Sequence, residues 1–239
     1  MITIYWGVNT DFSPEGIRAE APISILQKIS QERIPKDSGL GQQYNRCPAF
    51  IDELTNLYGI KSYYDFTLRF GENGEISSDH GREFFDQHVE VRSPNLFDFH
   101  QAFFFFTEEP SLEISLLPPY LEDNSVINST IMVPGKIDIG KYFRSLASAF
   151  HMKQNCNEVI FSRKEICFYI RFHTKKKLQF KQFFWTPEMH HMDRIMMSAK
   201  TGKYDLMNLE YYYNIFYKFN FKKKILKNIK ENLCKEVDK

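Results

Sequence analysis

The segment from Val159 to Phe184 constrains the fold more than any other part of the chain. In its middle, four apolar residues alternate with four others, which is the two-residue period of a half-buried β-strand. These residues are Ile166, Phe168, Ile170 and Phe172 on one face, and Cys167, Tyr169, Arg171 and His173 on the other. A second alternation follows the lysine run at residues 175–177 and ends at Phe184. We therefore predict that the segment forms an antiparallel hairpin.

Further strand candidates recur along the chain, most of them bounded by Gly or Pro residues. They cover residues 2–6, 65–70, 88–92, 97–107, 112–117, 127–133 and 148–152. The chain also has 23 Phe and 13 Tyr residues, and aromatic rings pack well on a half-buried sheet. Many short strands are typical of a sandwich, jelly roll or barrel. We predict a mainly β fold, α+β overall, with an antiparallel jelly-roll or β-sandwich-like domain.

Helical spacing is found near both ends of the chain. Residues 22–34 contain one candidate helix, and residues 48–58 contain a short amphipathic helix that Pro48 begins and Gly59 caps. Two more helices are predicted at the C-terminal end, the second of them capped by Asn220. We predict a β-rich domain over residues 1–204, with a helical insert near 48–58, and a C-terminal helical extension over residues 205–239 that packs on it.

Charge, cysteine spacing and the lengths of the apolar runs indicate which partners and which location to expect. With 31 basic and 30 acidic side chains the net charge is +1, which gives no general reason to expect nucleic acid or an anionic membrane as a partner. The four cysteines are widely separated, as free thiols in a reducing compartment would be. No apolar run is long enough to cross a bilayer and no signal-peptide pattern is present. We expect a soluble protein that is not secreted.

Five longer motifs carry a resemblance to a known family. They are CPAFIDELTNLYGIKS at residues 47–62, SLLPPYL at 115–121, VPGKIDIGKYFRSL at 133–146, FSRKEICFYIRFHT at 161–174 and YYNIFYKFNFKKKILKNIKENL at 212–233. In these motifs the chain resembles an uncharacterised protein family of T4-like phages of marine cyanobacteria, which has distant bacterial relatives. The resemblance implies a phage protein located in the host cytoplasm or in the virion. It implies no catalytic residues, because none are established for the family.

One constellation of residues fits an enzyme. His88 and Glu90 are two apart in a predicted strand and would face the same side, and His151 could complete a facial triad for iron. Arg163 would suit the distal carboxylate of 2-oxoglutarate. The alternative function is therefore an Fe(II)- and 2-oxoglutarate-dependent oxygenase, although the same residues also fit a surface strand. Residues 190–193 hold a second His-x-Asp pattern, which we interpret as loop histidines.

The basic C-terminal end is the best candidate for a partner surface. There Lys222, Lys223 and Lys224 follow Phe221, a mixture that could contact another molecule. The opposing interpretation is that the lysines are solvated and that the aromatic residues dock the helix onto the sheet. Asp138, with Lys141 and Arg144, is interpreted as part of a buried ion pair, with a ligand contact as the alternative.

No motif for phosphoryl transfer, hydride transfer or serine hydrolysis is present, since the chain has no P-loop, GxGxxG, GxSxG or HExxH. We therefore predict a non-catalytic phage protein, either a virion component or an accessory factor, that contacts other phage or host proteins. No cofactor is expected on this prediction, and nucleic acid is not the expected partner. The sequence leaves the oligomeric state open.

Overall fold

The structure is a computed structural model that describes residues 1–9, 19–31, 47–71, 75–201, 209–218 and 220–234, without the side chains of 197–201, 209, 212 and 215. Its strands are β1 (Ile2–Val8), β2 (Ile23–Ser24), β3 (Leu57–Lys61), β4 (Phe66–Phe70), β5 (Ile76–Ser78), β6 (Val89–Ser93), β7 (Leu96–His100), β8 (Phe103–Thr107), β9 (Glu113–Leu117), β10 (Thr130–Val133), β11 (Gly135–Asp138), β12 (Ala147–Met152), β13 (Glu158–Phe161), β14 (Ile166–Phe172) and β15 (Leu178–Gln182). Its helices are α1 (Ile25–Gln31), α2 (Pro48–Leu54), α3 (Gly81–His88), α4 (Ser125–Ser129), α5 (Pro187–Thr201), α6 (Leu209–Lys218) and α7 (Phe221–Glu231).

The described strands form four sheets around one main core. The strand orders are β15-β1-β8, β10-β12-β7-β6, β11-β9-β14-β3-β2 and β13-β4-β5. All pairs are antiparallel except β1 with β15, which is parallel. Every sheet contributes buried side chains to the main core. The predicted mainly β, α+β fold with helices at the C-terminal end is confirmed, whereas the jelly-roll connectivity stays a prediction.

The sheet β15-β1-β8 is buried on both faces, which explains the run of four phenylalanines in β8. Phe103 and Phe105 point into the main core, whereas Phe104 and Phe106 belong to a second apolar cluster. That second cluster is completed by the three C-terminal helices, through Met189, Phe216 and Ile229 among others. A strand covered on two sides needs apolar residues at consecutive positions, so no polar alternation remains.

Charged contacts also hold the last helix against this sheet. The Tyr5 hydroxyl donates to Glu108 Oε1 at 2.5 Å, and Lys230 Nζ of α7 lies 3.0 Å from the same oxygen. Lys222 Nζ, also of α7, donates to the backbone carbonyl of Glu109. These contacts pack α7 against the β15-β1-β8 sheet, whereas the predicted boundary at residues 204–205 lies outside the described residues.

The five-stranded sheet contains β14, the strand predicted from the alternation at residues 166–173. A bulge between Ile166 and Phe168 shifts the register of β14 against β3. Because of this shift, Ile166 joins Tyr169 in the small cluster under α1 and α2, while Phe168 faces the main core. The prediction that Ile166 and Phe168 lie on the same face of the strand is therefore wrong, because the bulge shifts the alternation by one residue.

The predicted hairpin of residues 159–184 is also wrong. β14 lies between β3 and β9, and β15 pairs with β1 in a different sheet. The long predicted strand 97–107 is likewise two strands, β7 and β8, in separate sheets. Alternation identified each strand, but it carries no information about the partner across the ladder.

Helices replace predicted strand or loop at three places. Residues 81–88 and 125–129 form α3 and α4, and residues 187–201 form α5, which lies within the predicted β-rich domain. The predicted cap at Gly59 is wrong, because α2 ends at Leu54, its C-cap is Thr55, and Gly59 lies inside β3. Among the described helices, none is long and apolar enough to span a membrane.

Gly7 in β1 is a position where a side chain does not fit. A Cβ atom there would lie 2.5 Å from Cε2 of the Phe183 ring. We expect Gly7→Ala to lower the free energy of unfolding by about 1–3 kcal/mol, because a rigid ring in a packed cluster must move. Gly135→Ala is the matched control, since a Cβ atom at Gly135 meets nothing within 4 Å. Chemical denaturation of both variants measures the difference, and equal losses would contradict the packing described here.

Candidate functional site

The structure does not assemble the four residues of the oxygenase hypothesis, although two of them, His88 and Glu90, line the same cleft. His88 is the last residue of α3 rather than a strand residue, so the premise that His88 and Glu90 share a strand face is wrong. The His88 ring is buried against Tyr64 and Phe84, with ring centroids 4.5 Å and 4.6 Å away. The imidazole therefore lies in an aromatic environment at the end of the helix.

Glu90 and His151 lie on strands two apart in the four-stranded sheet. Glu90 pairs with Asp98 of β7, and its side chain makes an ion pair with Arg92 at 2.9 Å. His151 is exposed on β12 and pairs with Leu96. The sheet geometry separates the Cα atoms of Glu90 and His151 by about 9 Å across the strands and about 7 Å along them.

Arg163 lies in the connection before β14, where its backbone N–H donates to Asp65 Oδ1 at 2.7 Å. Within the described residues, no group of three His, Cys, Asp or Glu side chains is arranged to hold a metal ion. The structure thus does not bring His88, Glu90, His151 and Arg163 together as a site for iron and 2-oxoglutarate.

The predicted partner surface divides into an inner and an outer part. Phe221 is half-buried and its ring lies 6.2 Å from that of Phe216, so it docks the helix as the alternative interpretation required. Lys222 faces the sheet, and burial lowers its pKa. Lys223 and Lys224 are exposed. Of the four residues, only these two lysines are fully available to another molecule.

Asp138 is a buried carboxylate whose hydrogen bonds are satisfied within the protein. It accepts from Ser111 Oγ at 2.6 Å and from the N–H groups of Leu112 and Gly140 at 3.0 Å and 2.9 Å. Lys141 Nζ lies 3.3 Å away. Burial opposes ionisation, but these donors together hold the pKa of Asp138 below its usual value. The VPGKIDIGKYF motif therefore has a structural explanation, as the ion-pair interpretation predicted.

A cleft of about 410 Å³ is the strongest candidate for a functional site. It lies where the end of α3, the start of β6, the β7–β8 connection and the first turns of α5 meet. The described residues that line it include His88, Glu90, Gln101, Ser145 and Asp193. The volume is within the usual range for small-molecule sites, and such sites combine apolar walls with a few convergent polar groups.

His88 supplies a neutral imidazole to this cleft. Burial is the main cause that lowers its pKa to about 4, although a hydrogen bond with the backbone of His100 opposes that change. The ring is 3% exposed, so few water molecules can solvate a positive charge there. At neutral pH His88 is therefore uncharged.

Asp193 has the opposite perturbation. It projects from α5, is 8% exposed, and burial raises its pKa to about 6. The charge of Arg144, a hydrogen bond from the Ser145 N–H and the charge of His190 oppose this increase without cancelling it. Asp193 thus exchanges its proton close to neutral pH, which is typical of groups at functional sites.

Two residues that line the cleft each carry a buried acceptor oxygen that has no hydrogen-bond donor among the described residues. One is Asp193 Oδ1 and the other is Gln101 Oε1. The amide nitrogen of Gln101 is directed to Cys167 Sγ at 3.4 Å, so the amide is oriented by the core. Buried polar atoms in proteins are almost always satisfied, so each of these oxygens calls for a partner such as a water molecule or a ligand group.

The cysteines do not provide a second candidate site. All four cysteines are free thiols, as expected, although only Cys167 is buried. Burial raises the pKa of Cys167 to about 12, so it is not a thiolate at neutral pH.

Comparison of the chain with protein-family models, with curated proteins and with solved structures finds no significant match.

Sequence reasoning missed the cleft because it missed α5. Residues 190–193 were interpreted as a loop, whereas they form the second turn of this helix. A signal was present in Thr186, Pro187 and Glu188, since Thr is a favoured N-cap, Pro a favoured first residue and Glu favourable in the first turn. The Thr186 hydroxyl indeed accepts from the Met189 N–H at 3.3 Å. The burial of Gln101 and Asp193 had no signal in the sequence.

Proposed function

We propose that the protein binds a small polar ligand in the cleft between α3, the β7–β8 connection and α5. The single observation that carries this proposal is that two residues lining a cleft of about 410 Å³ hold unsatisfied buried acceptor oxygens, Asp193 Oδ1 and Gln101 Oε1. Leaving a buried polar group without a partner costs about 1–3 kcal/mol. A ligand that donates to both oxygens removes that cost, so binding is favoured at this place.

The surroundings of the cleft support the same proposal. Asp193 titrates near neutral pH and His88 is held neutral, so the cleft offers one proton-exchanging group and one uncharged ring. Both side chains are held by packed elements rather than by exposed loops, since α3 and α5 border the main core and the second cluster. A site on rigid elements is pre-organised for its ligand.

Amide NMR spectroscopy with a library of small fragments tests the proposal. We expect the fragments that bind to shift the backbone amide signals of Gln101, Ala102, Ser145 and Asp193. The control is Ser145→Tyr, in which a larger side chain fills the cleft from a half-buried position. These shifts should disappear in that variant while its unfolding free energy stays within about 1 kcal/mol of the wild type. Fragments that shift other amides only, or that bind the filled variant equally well, contradict the proposal.

A second candidate function is the accessory or virion role that the phage resemblance implies. The observation that favours it is β10, a strand at the edge of its sheet, where Ile131 and Val133 are 57% and 48% exposed. Exposed aliphatic residues on an edge strand are suited to contact with another protein. Quantitative mass spectrometry of purified phage particles tests the virion version. A constant copy number supports it, and absence of the protein from particles contradicts it.

The oxygenase alternative gains no support, because His88, Glu90, His151 and Arg163 are not assembled in the described structure.

A further inference from the structure

The two unsatisfied oxygens of the cleft also restrict the chemistry of its ligand, on the basis of the function proposed above. Asp193 is more than nine-tenths buried, and its Oδ1 has no donor among the described residues. Gln101 is 1% exposed, and its amide N–H is already directed to Cys167. At pH 7 and above, where Asp193 is mainly ionised, Asp193 Oδ1 and Gln101 Oε1 are both acceptors, so the ligand must bring donors.

The charge of the cleft gives the second restriction. A buried carboxylate is stable only when a positive charge or several donors face it. Arg144 acts on Asp193 electrostatically, but Arg144 is not among the described residues that line the cleft. The lining also holds one exposed arginine, Arg194, and the rim carboxylates Asp86 and Glu90, which have Arg82 and Arg92 as partners. Asp193 is the buried carboxylate among the described lining residues, and it is the one that a positively charged ligand would neutralise.

A metal ion does not fit this arrangement. Hard divalent cations require six or more oxygen ligands, or a compact set of His, Cys and carboxylate groups. The described residues contain no such group, and the cleft offers two orphan oxygens from different elements. An anion does not fit either, because both oxygens would repel it.

We infer that the cleft selects a small organic cation, such as an amine, amidine or guanidine, whose N–H groups donate to Asp193 Oδ1 and Gln101 Oε1. Such a cation supplies directional donors and a positive charge at once. Charge-assisted hydrogen bonds of this kind are stronger than neutral ones. Apolar lining residues such as Val89 and Ala102 would contact a short alkyl part of the ligand.

Three probes of nearly equal size test this inference, namely propylguanidine as cation, propylurea as neutral donor and butanoate as anion. NMR titration of the intact chain gives the dissociation constant for each. We expect propylguanidine to bind tightest, by about tenfold or more over propylurea. Butanoate should not bind in the cleft. Equal or tighter binding of propylurea or butanoate overturns the inference.

Substitutions test whether Asp193 Oδ1 and Gln101 Oε1 cause the preference for propylguanidine. Asp193→Asn and Gln101→Met should each weaken propylguanidine binding by about tenfold or more, because the first removes the negative charge and the second removes the amide acceptor, both at nearly constant volume. Asp86→Asn is the matched control for charge, since Asp86 is an exposed rim carboxylate. It should change the constant by less than about twofold. An equal effect of Asp86→Asn and Asp193→Asn shows only a general electrostatic attraction and overturns the inference.

Failure of this inference can be distinguished from failure of the proposed function. If library fragments shift the cleft amides but propylguanidine has no advantage, the cleft binds ligands and the cationic class is wrong. If no fragment shifts these amides in the wild type, the function itself is wrong.

Discussion

Replacing Phe183 with alanine should lower the free energy of unfolding by about 3–5 kcal/mol, the largest loss that we expect from a single truncation in this chain. Phe183 is 2% exposed and belongs to the cluster that joins the β15-β1-β8 sheet to the C-terminal helices. Its backbone N–H donates to the carbonyl of Trp6 at 2.9 Å, and it forms an isolated bridge with Leu233. The ring fills the space above Gly7, so its removal leaves a cavity between sheet and helices.

The neighbouring residue Phe184 is the matched control. It has the same side chain and is 63% exposed, so Phe184→Ala should change stability by less than about 0.5 kcal/mol. Urea denaturation of both variants gives the comparison, provided that the slope with urea is unchanged. In the Phe183→Ala background the cost of Gly7→Ala should largely disappear, because the clashing ring is gone. Similar losses from Phe183→Ala and Phe184→Ala would contradict the described packing of the helices.

The second large effect is a pair of opposite pH dependences from two groups of the cleft. The pKa of Asp193 is raised to about 6, so its contribution to stability is complete below the unfolded pKa and is lost as the pH rises through about 6. The pKa of His88 is lowered to about 4, so its contribution is complete above the unfolded pKa and is lost as the pH falls towards about 4. In the wild type these two changes nearly cancel.

Single variants should reveal the two contributions. Relative to the wild type, Asp193→Asn should become more stable by about 2–3 kcal/mol between about pH 4 and about pH 7. His88→Gln should lose about 2–3 kcal/mol over the same interval. The prediction concerns how the unfolding free energy changes with pH and not its value at one pH, because each variant also changes packing. The variants leave the neighbouring groups in place. Asp193 is faced by Arg144, His190 and the Ser145 N–H. His88 is faced by the backbone of His100.

Unfolding measured at several pH values, with the double variant as control, decides this prediction. The double variant should return to the slope of the wild type, because both contributions are absent. Parallel curves for the wild type and both single variants would show that neither group is perturbed. The polar part of the cleft would then be more solvated than described.

Local sequence patterns predicted much of the fold because burial sets the residue period along each element. The alternation at residues 166–172 identified β14, and the helical spacing after Asn220 identified α7. The partner of each strand was not predictable, since β15 pairs with β1, which lies at the opposite end of the chain. The run of phenylalanines in β8 had no alternation, because both faces of that strand are buried.

The candidate site was predicted only in part. His88 and Glu90 were singled out as a strand pair and do line one cleft, but α3 ends at His88 and changes the direction of its side chain. Asp193 lies in α5 rather than in the predicted loop, and the capping residues Thr186 and Pro187 are the sequence signal for that helix. Gln101 is an unremarkable residue in sequence, and only the folded chain shows that its amide oxygen is buried without a donor.

The most direct test of the central claim is a crystal structure of the protein soaked with an equimolar mixture of propylguanidine, propylurea and butanoate. The claim predicts density for propylguanidine in the cleft, with nitrogen atoms about 3 Å from Asp193 Oδ1 and Gln101 Oε1. Density for butanoate at these oxygens would contradict the assigned ligand class. A cleft closed by protein donors that satisfy both oxygens would contradict the claim that this is a ligand site.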